Sequence, residues 1–235
     1  MDEASRPAAD AFAEKYRALR LSEGWVDPTG QAQGGGRPEL WGRMRSATRA
    51  AAILAAEWPS PAGRVVADIG SGTGWAHSLF AGFGVIAFDI LPIRPSDKAL
   101  TVRADMRRLP LRDATIDAAF FSASIHYAPL GEAVGEASRV LRQGGLLLVV
   151  DSPIYKDDDS RARAAGRSAG YYASAGYPEL ATGYHPASVG ELRSVVVDAG
   201  FALVDLKTEG AVKALWRRVI RRPPASLLVG RRSRV

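Results

Sequence analysis

The sequence predicts an α/β fold on a mainly parallel sheet, and three observations carry that prediction. Short apolar, β-rich runs recur at 65–69, 85–88, 100–102, 118–121 and 146–150. Helical patterns stand between most of them, notably at 75–81 and 130–141. The runs are continuously apolar rather than alternating, which is the pattern of strands covered by helices on both faces.

Taken in order, residues 8–21 place Phe12, Tyr16 and Leu19 at helical spacing. Residues 27–38 hold Pro28, Gly30, Gly34, Gly35, Gly36 and Pro38 and read as a loop. A second helix is expected over 39–57, stopping before Trp58-Pro59. Pro92 and Pro95 argue against a full helix in the crossover from Ile90 to Leu100. A long insert over about 153–186 reads as a loop, with the length of a lid or binding element. Runs at 202–206 and 226–229 close the chain. The expected division is a helical cap over 1–60 and a core over 61–235 that carries the insert.

At 235 residues the chain suits one substantial core. It contains no cysteine, which excludes disulfides, thiolate metal sites and cysteine nucleophiles. His77, His126 and His185 show no metal-ligand spacing, so no metal site is expected. No apolar run approaches the roughly 20 residues of a membrane span. The acidic start, Met1-Asp2-Glu3, lacks the apolar stretch of a secretory signal, so a cytoplasmic location is expected. The net charge of +6 is unevenly placed. Lys213, Arg217, Arg218, Arg221, Arg222, Arg231, Arg232 and Arg234 face no acid after residue 212, while the rest of the chain is slightly acidic.

The chemistry concentrates in Val65-Val66-Ala67-Asp68-Ile69-Gly70-Ser71-Gly72-Thr73-Gly74-Trp75, a strand running into a glycine turn. Glycines there allow positive φ and close approach of backbone to a ligand. At the carboxyl end of a first parallel strand, such a turn binds nucleotide-like ligands. A pyrophosphate fingerprint would read GxGxxG; here the third glycine comes one residue early. Asp68, just ahead of the first glycine, would repel a phosphate and suits a cationic ligand, such as the ammonium and sulfonium of S-adenosylmethionine.

With these residues the chain resembles class I S-adenosylmethionine-dependent methyltransferases, in particular the group that includes quinone and other small-molecule methyltransferases. The resemblance covers about residues 61–207. It implies a Rossmann-like seven-stranded sheet of order 3-2-1-4-5-7-6 with strand 7 antiparallel, roofed by residues 1–60 and the insert. It also implies roles. Asp68, Gly70, Gly72 and Gly74 form the cofactor turn; Asp89, followed by Ile90, accepts from the ribose hydroxyls. Asp105 or its neighbouring amide reads the adenine edge, with Met106 on the ring. Ser122 ends the fourth strand, whose following loop lines the methionine arm. Gly144 or Gly145, in Gln143-Gly144-Gly145, stops a helix. Asp117 reads as no more than a polar strand entry.

Methyl transfer needs alignment above all, and a base only where the acceptor must lose a proton. His126 and Tyr127 follow the fourth strand and are the catalytic candidates; Asp151 and Tyr155 follow the fifth. His77 reads as packing or surface. No N/D-P-P-Y/F element follows the fourth strand, which argues against adenine-N6 or glutamine methylation. The expected partner is a small-molecule acceptor, with no nucleic acid. Three alternatives remain: an NAD(P)-dependent oxidoreductase, disfavoured by the glycine spacing; an RNA methyltransferase using the basic C-terminal segment; and a non-catalytic cofactor-binding subunit.

Overall fold

A computed structural model describes residues 6–28, 38–91, 99–208 and 226–233. Two helices, α1 (Arg6–Ser22) and α2 (Pro38–Glu57), precede the first strand. The main sheet contains β1 (Val65–Ile69), β2 (Gly84–Asp89), β3 (Leu100–Arg103), β4 (Ile116–Ser122), β5 (Leu141–Val150), β8 (Phe201–Thr208) and β9 (Ser226–Arg232). Its order is β3-β2-β1-β4-β5-β9-β8, the expected 3-2-1-4-5-7-6. β9 runs antiparallel to both β5 and β8; the other pairings are parallel.

Side-chain alternation along the central strands supplies two core faces. Leu147 and Val149 of β5 join Ile69 and Phe121 on one face. There α3 (Leu130–Val140) brings Ala133, Val134 and Ala137, and α5 (Val189–Asp198) brings Leu192 and Val196. Leu146, Leu148 and Val150 turn to the other face, under Ala47, Ala50 and Leu54 of α2. So α2 is a sheet-covering helix, and α1 is the part of residues 1–60 that meets the insert. Leu19 is buried against Tyr172 and Leu180, with Phe12, Tyr16 and Tyr184 packed around them.

Four local expectations are corrected. The helix expected over 75–81 is a single 3-10 turn, His77–Leu79. As an α-helix, segment 75–83 would advance about 13 Å, short of the roughly 17–20 Å needed to return to the start of the six-residue β2. The insert is not a loop: it holds β6 (Ile154–Tyr155), α4 (Asp158–Ser174), a 3-10 turn at Pro178–Gly183 and β7 (Ala187–Ser188). Gly144 and Gly145 do not stop α3, which ends at Val140 with Leu141 already extended. Gly144 instead turns at φ 77° inside β5, and a Cβ on Gly145 would come within 2.9 Å of the Arg142 and Asp117 carbonyls. Asp117 is more than a polar entry. It is buried and accepts from Arg64 (2.8 Å), the Val65 amide (2.9 Å) and Arg142 (2.7 Å), tying β4 to β1 and β5.

Pro92, Pro95 and the basic residues Lys213, Arg217, Arg218, Arg221, Arg222 and Arg234 lie outside the described residues. Arg231 pairs with Glu57 at 2.7 Å, and Arg232 donates to Ser138 at 3.0 Å, so these two cations hold the last strand in place. Among the described residues no helix is long and apolar enough to cross a membrane.

Candidate active site

β1 ends in a turn that only glycine accommodates without strain. Gly70, Gly72 and Gly74 adopt φ of 71, 57 and 73°, a region that costs other residues roughly 1–2 kcal/mol. The amides of Gly70 and Ser71 both donate to the Phe88 carbonyl, at 2.8 and 3.0 Å, which stitches the turn to the end of β2. Beneath it Ser124 Oγ donates to the Ile69 carbonyl at 2.7 Å.

Asp89 completes the turn from β2. Its Oδ2 accepts from the Gly72 amide at 2.7 Å and its Oδ1 from the Leu91 amide at 2.8 Å. Burial raises its pKa, against the lowering effect of those amides. Ile90 follows, half-buried, its carbonyl accepting from Arg103 Nε at 2.8 Å. Met106 reaches the turn from the far side, its Cε 3.5 Å from where a Gly70 side chain would begin. The Asp105 carboxylate closes its own turn: it accepts from the Arg107 amide (2.9 Å) and guanidinium (2.6 Å).

Asp68 is buried, and burial raises its pKa. Its Oδ2 lies 3.3 Å from Nε2 of His77, which is buried too. Of the two readings of His77, packing or surface, the structure gives packing. Among the described residues, Ser71 Oγ, Ser122 Oγ and His77 Nδ1 are buried without a hydrogen-bond partner. Unmet buried polar atoms are costly in a finished core and ordinary where a polar ligand binds. Grouped around a glycine turn and a buried acid, they fit a ligand with several polar groups and a cationic end.

A second group of side chains stands at the carboxyl ends of β4 and β5. Ala123 and Asp151, neither of them glycine, hold φ of 52 and 55°, and the Ala123 amide bonds the Val150 carbonyl at 2.8 Å. Such strain concentrates at functional sites. Asp151 Oδ1 accepts from Ser46 Oγ of α2 at 2.8 Å. His126 lies in the 3-10 turn Ile125–Tyr127, its carbonyl accepting from the His185 amide of the insert at 2.7 Å. Burial, and then the charges of Arg43 and Arg20 and of His185, push its pKa down to about 3. The ring is therefore neutral at physiological pH, and Nδ1 has no partner among the described residues. The Tyr127 hydroxyl accepts from Tyr16 at 3.0 Å and Arg20 at 3.2 Å, joining the loop to α1. Tyr155 is buried.

Known proteins resemble this chain in sequence and in fold. Residues 67–149 match the family described as a methyltransferase domain. Malonyl-[acyl-carrier protein] O-methyltransferase of Dechloromonas aromatica (strain RCB) is 27% identical over 161 residues, 66% of this chain and 58% of that protein. Ribosomal RNA-processing protein 8 of Rattus norvegicus is 37% identical over 91 residues, 39% of this chain and 19% of that one. The chain thus spans little more than half of one curated relative and about a fifth of the other. Among solved structures, the 1,6-didemethyltoxoflavin-N1-methyltransferase of Burkholderia thailandensis, with 1,6-didemethyltoxoflavin and S-adenosylhomocysteine bound, superposes with a TM-score of 0.58. It is 19% identical, with 94% of this chain and 91% of that one covered, a likeness of fold.

Proposed function

We propose that this chain, whose residues 67–149 match a methyltransferase domain and whose sheet has the order 3-2-1-4-5-7-6, is a class I S-adenosylmethionine-dependent methyltransferase that methylates a small-molecule acceptor. The observation that carries this reading is the glycine turn between two acids, the buried Asp68 behind it and the half-buried Asp89 bonded into it at Gly72. Asp89 would hold the ribose hydroxyls, Asp68 the ammonium, Met106 the adenine face, and Ser71 and Ser122 the polar methionine arm. The cofactor would supply a methyl group already activated on positive sulfur, so these residues have mainly to align it.

On the acceptor side, His126 is too weak a base to take a proton at neutral pH. Its neutral ring suits accepting a hydrogen bond from the acceptor and fixing its orientation. Tyr127, held by Tyr16 and Arg20, belongs to the roof of that space. Calorimetry tests the cofactor assignment. S-adenosylhomocysteine should bind without competition from NAD(H), and Asp89→Ala should weaken it by roughly 1–3 kcal/mol. Tight NAD binding with no response to the sulfur ligands would remove the reading.

An RNA acceptor is the second reading, favoured by the identity to Ribosomal RNA-processing protein 8 and by the basic residues after 212. We expect Arg217, Arg218, Arg221 and Arg222, all replaced by Gln, to leave methylation of a small acceptor intact. A gel-shift salt titration against bulk RNA decides between them. Tight, steeply salt-dependent binding that the four substitutions abolish would establish the RNA reading instead.

A further inference from the structure

α2 brings a cation to the carboxyl end of the sheet. Arg43 is half-buried and lies one helical turn before Ser46, whose hydroxyl bonds Asp151 just past β5. Its guanidinium stands over the Trp25 ring, 5.6 Å from the centroid. Among the described residues no acid forms an ion pair with Arg43. Arg20, by contrast, is balanced: it pairs with Glu23 at 2.6 Å and donates to Tyr127 at 3.2 Å. The charges that act on the buried His126 ring come from Arg43, Arg20 and His185; neither Asp151 nor Glu23 is among them. Aromatic rings stand around that histidine, with Tyr127 at 4.3 Å and Tyr184 at 5.4 Å between centroids. Its Nδ1 is buried with no partner among the described residues. A cation left without a counter-charge beside such a wall attracts an anion strongly, because little water screens it.

We propose that Arg43 determines specificity for an anionic acceptor: a planar aromatic acid whose carboxylate sits on the guanidinium and whose ring lies among His126, Tyr127 and Tyr184. A guanidinium on an aromatic face keeps its N–H edge free, and that edge matches a carboxylate with two parallel hydrogen bonds. The surrounding rings favour a flat body that stacks on them or meets them edge-on. The far end of the acceptor, a hydroxyl or an amine, then meets Nδ1 of His126. This rests on the reading of the β4 and β5 ends as the acceptor side of a methyltransferase.

The experiment is a ligand-observed NMR titration of the full chain saturated with S-adenosylhomocysteine. The probes are salicylate, anthranilate, coumarate and indoleacetate, each set against its own primary amide. The expected result is binding of an acid about tenfold or more tighter than its amide, the scale of a charge-assisted pair. Arg43→Gln should lower the affinity for that acid about tenfold and leave the amide unaffected. Unchanged binding of S-adenosylhomocysteine shows that the variant is folded. Arg43→Lys keeps the charge but loses the planar fork, so its affinity should fall between the two, and it serves if the Gln variant does not fold. Arg45→Gln removes the same charge from an exposed position on the same helix and should bind the acid as the parent does. Amides that bind as tightly as acids, no binding by any acid, or equal losses in Arg43→Gln and Arg45→Gln overturn the inference while leaving the cofactor assignment standing. Failure of S-adenosylhomocysteine to bind removes that assignment, and the inference with it.

Discussion

Gly70→Ala should destabilise the protein by about 2–5 kcal/mol and abolish cofactor binding. Two costs add. A non-glycine residue held at φ 71° loses roughly 1–2 kcal/mol. The new methyl would also lie within 3.0 Å of Ser124 Oγ, and closer still to Ser124 Cβ. Ser124 cannot easily yield, because it is buried and its hydroxyl is bonded to the Ile69 carbonyl. Overpacking of this kind costs about 1–3 kcal/mol. Gly72→Ala is the control: it has a similar φ, 57°, but nothing within 4 Å of the added methyl, so only the backbone cost applies. Urea unfolding of both variants separates the two costs. If Gly70→Ala loses no more stability than Gly72→Ala, Ser124 does not back the turn.

That comparison also marks what is legible in the sequence. Asp68-Ile69-Gly70-Ser71-Gly72-Thr73-Gly74 announces the turn because only glycine tolerates such dihedrals at no steric cost. Continuous apolar runs announce the parallel strands for a similar local reason. What lies against the turn is a tertiary matter. Ser124 reaches it from another part of the chain, and no periodicity encodes that, while His77, only three residues past Gly74, is folded back by a local turn. The helix expected over 75–81 hides His77 further, because on it this residue reads as one more surface or packing position. Chain length against the distance back to β2 is the signal that exposes the 3-10 turn.

Other elements carry local signals of their own. Asp157, whose side chain accepts from the Ser160 amide, caps α4, and Ala162, Ala164 and Ala165 follow as strong helix formers. Ser188 and Glu191 begin α5 with a capping-box spacing. The contact between α1 and the insert is different in kind. Tyr16, Tyr127 and Tyr172 are far apart in sequence, and their association depends on α1 docking on the insert. Asp105 shows the converse difficulty: a motif can be recognised while its carboxylate is already engaged by Arg107 two residues on.

The acid limb of stability should belong in large part to His126. Its folded pKa of about 3 lies well below the 6.5 of an exposed histidine. Below pH 6.5 the unfolded chain therefore takes up a proton that the folded one refuses. The stability held in this site is thus complete above about pH 6.5 and is lost as pH falls toward 3. At about 1.4 kcal/mol per pH unit, roughly 2 kcal/mol is gone by pH 5. His185, whose pKa burial also lowers, and the carboxylates add their own slopes, but they are present equally in a His126→Gln variant. The difference between parent and variant isolates the one ring. We expect urea unfolding at pH 7.5 and pH 5.0 to show the parent losing about 2 kcal/mol more than His126→Gln. Equal losses would mean that His126 accepts a proton in the folded state. It would then have to find a counter-charge near Arg43 and Arg20, and its place as a neutral hydrogen-bond acceptor for the methyl-acceptor molecule would be lost.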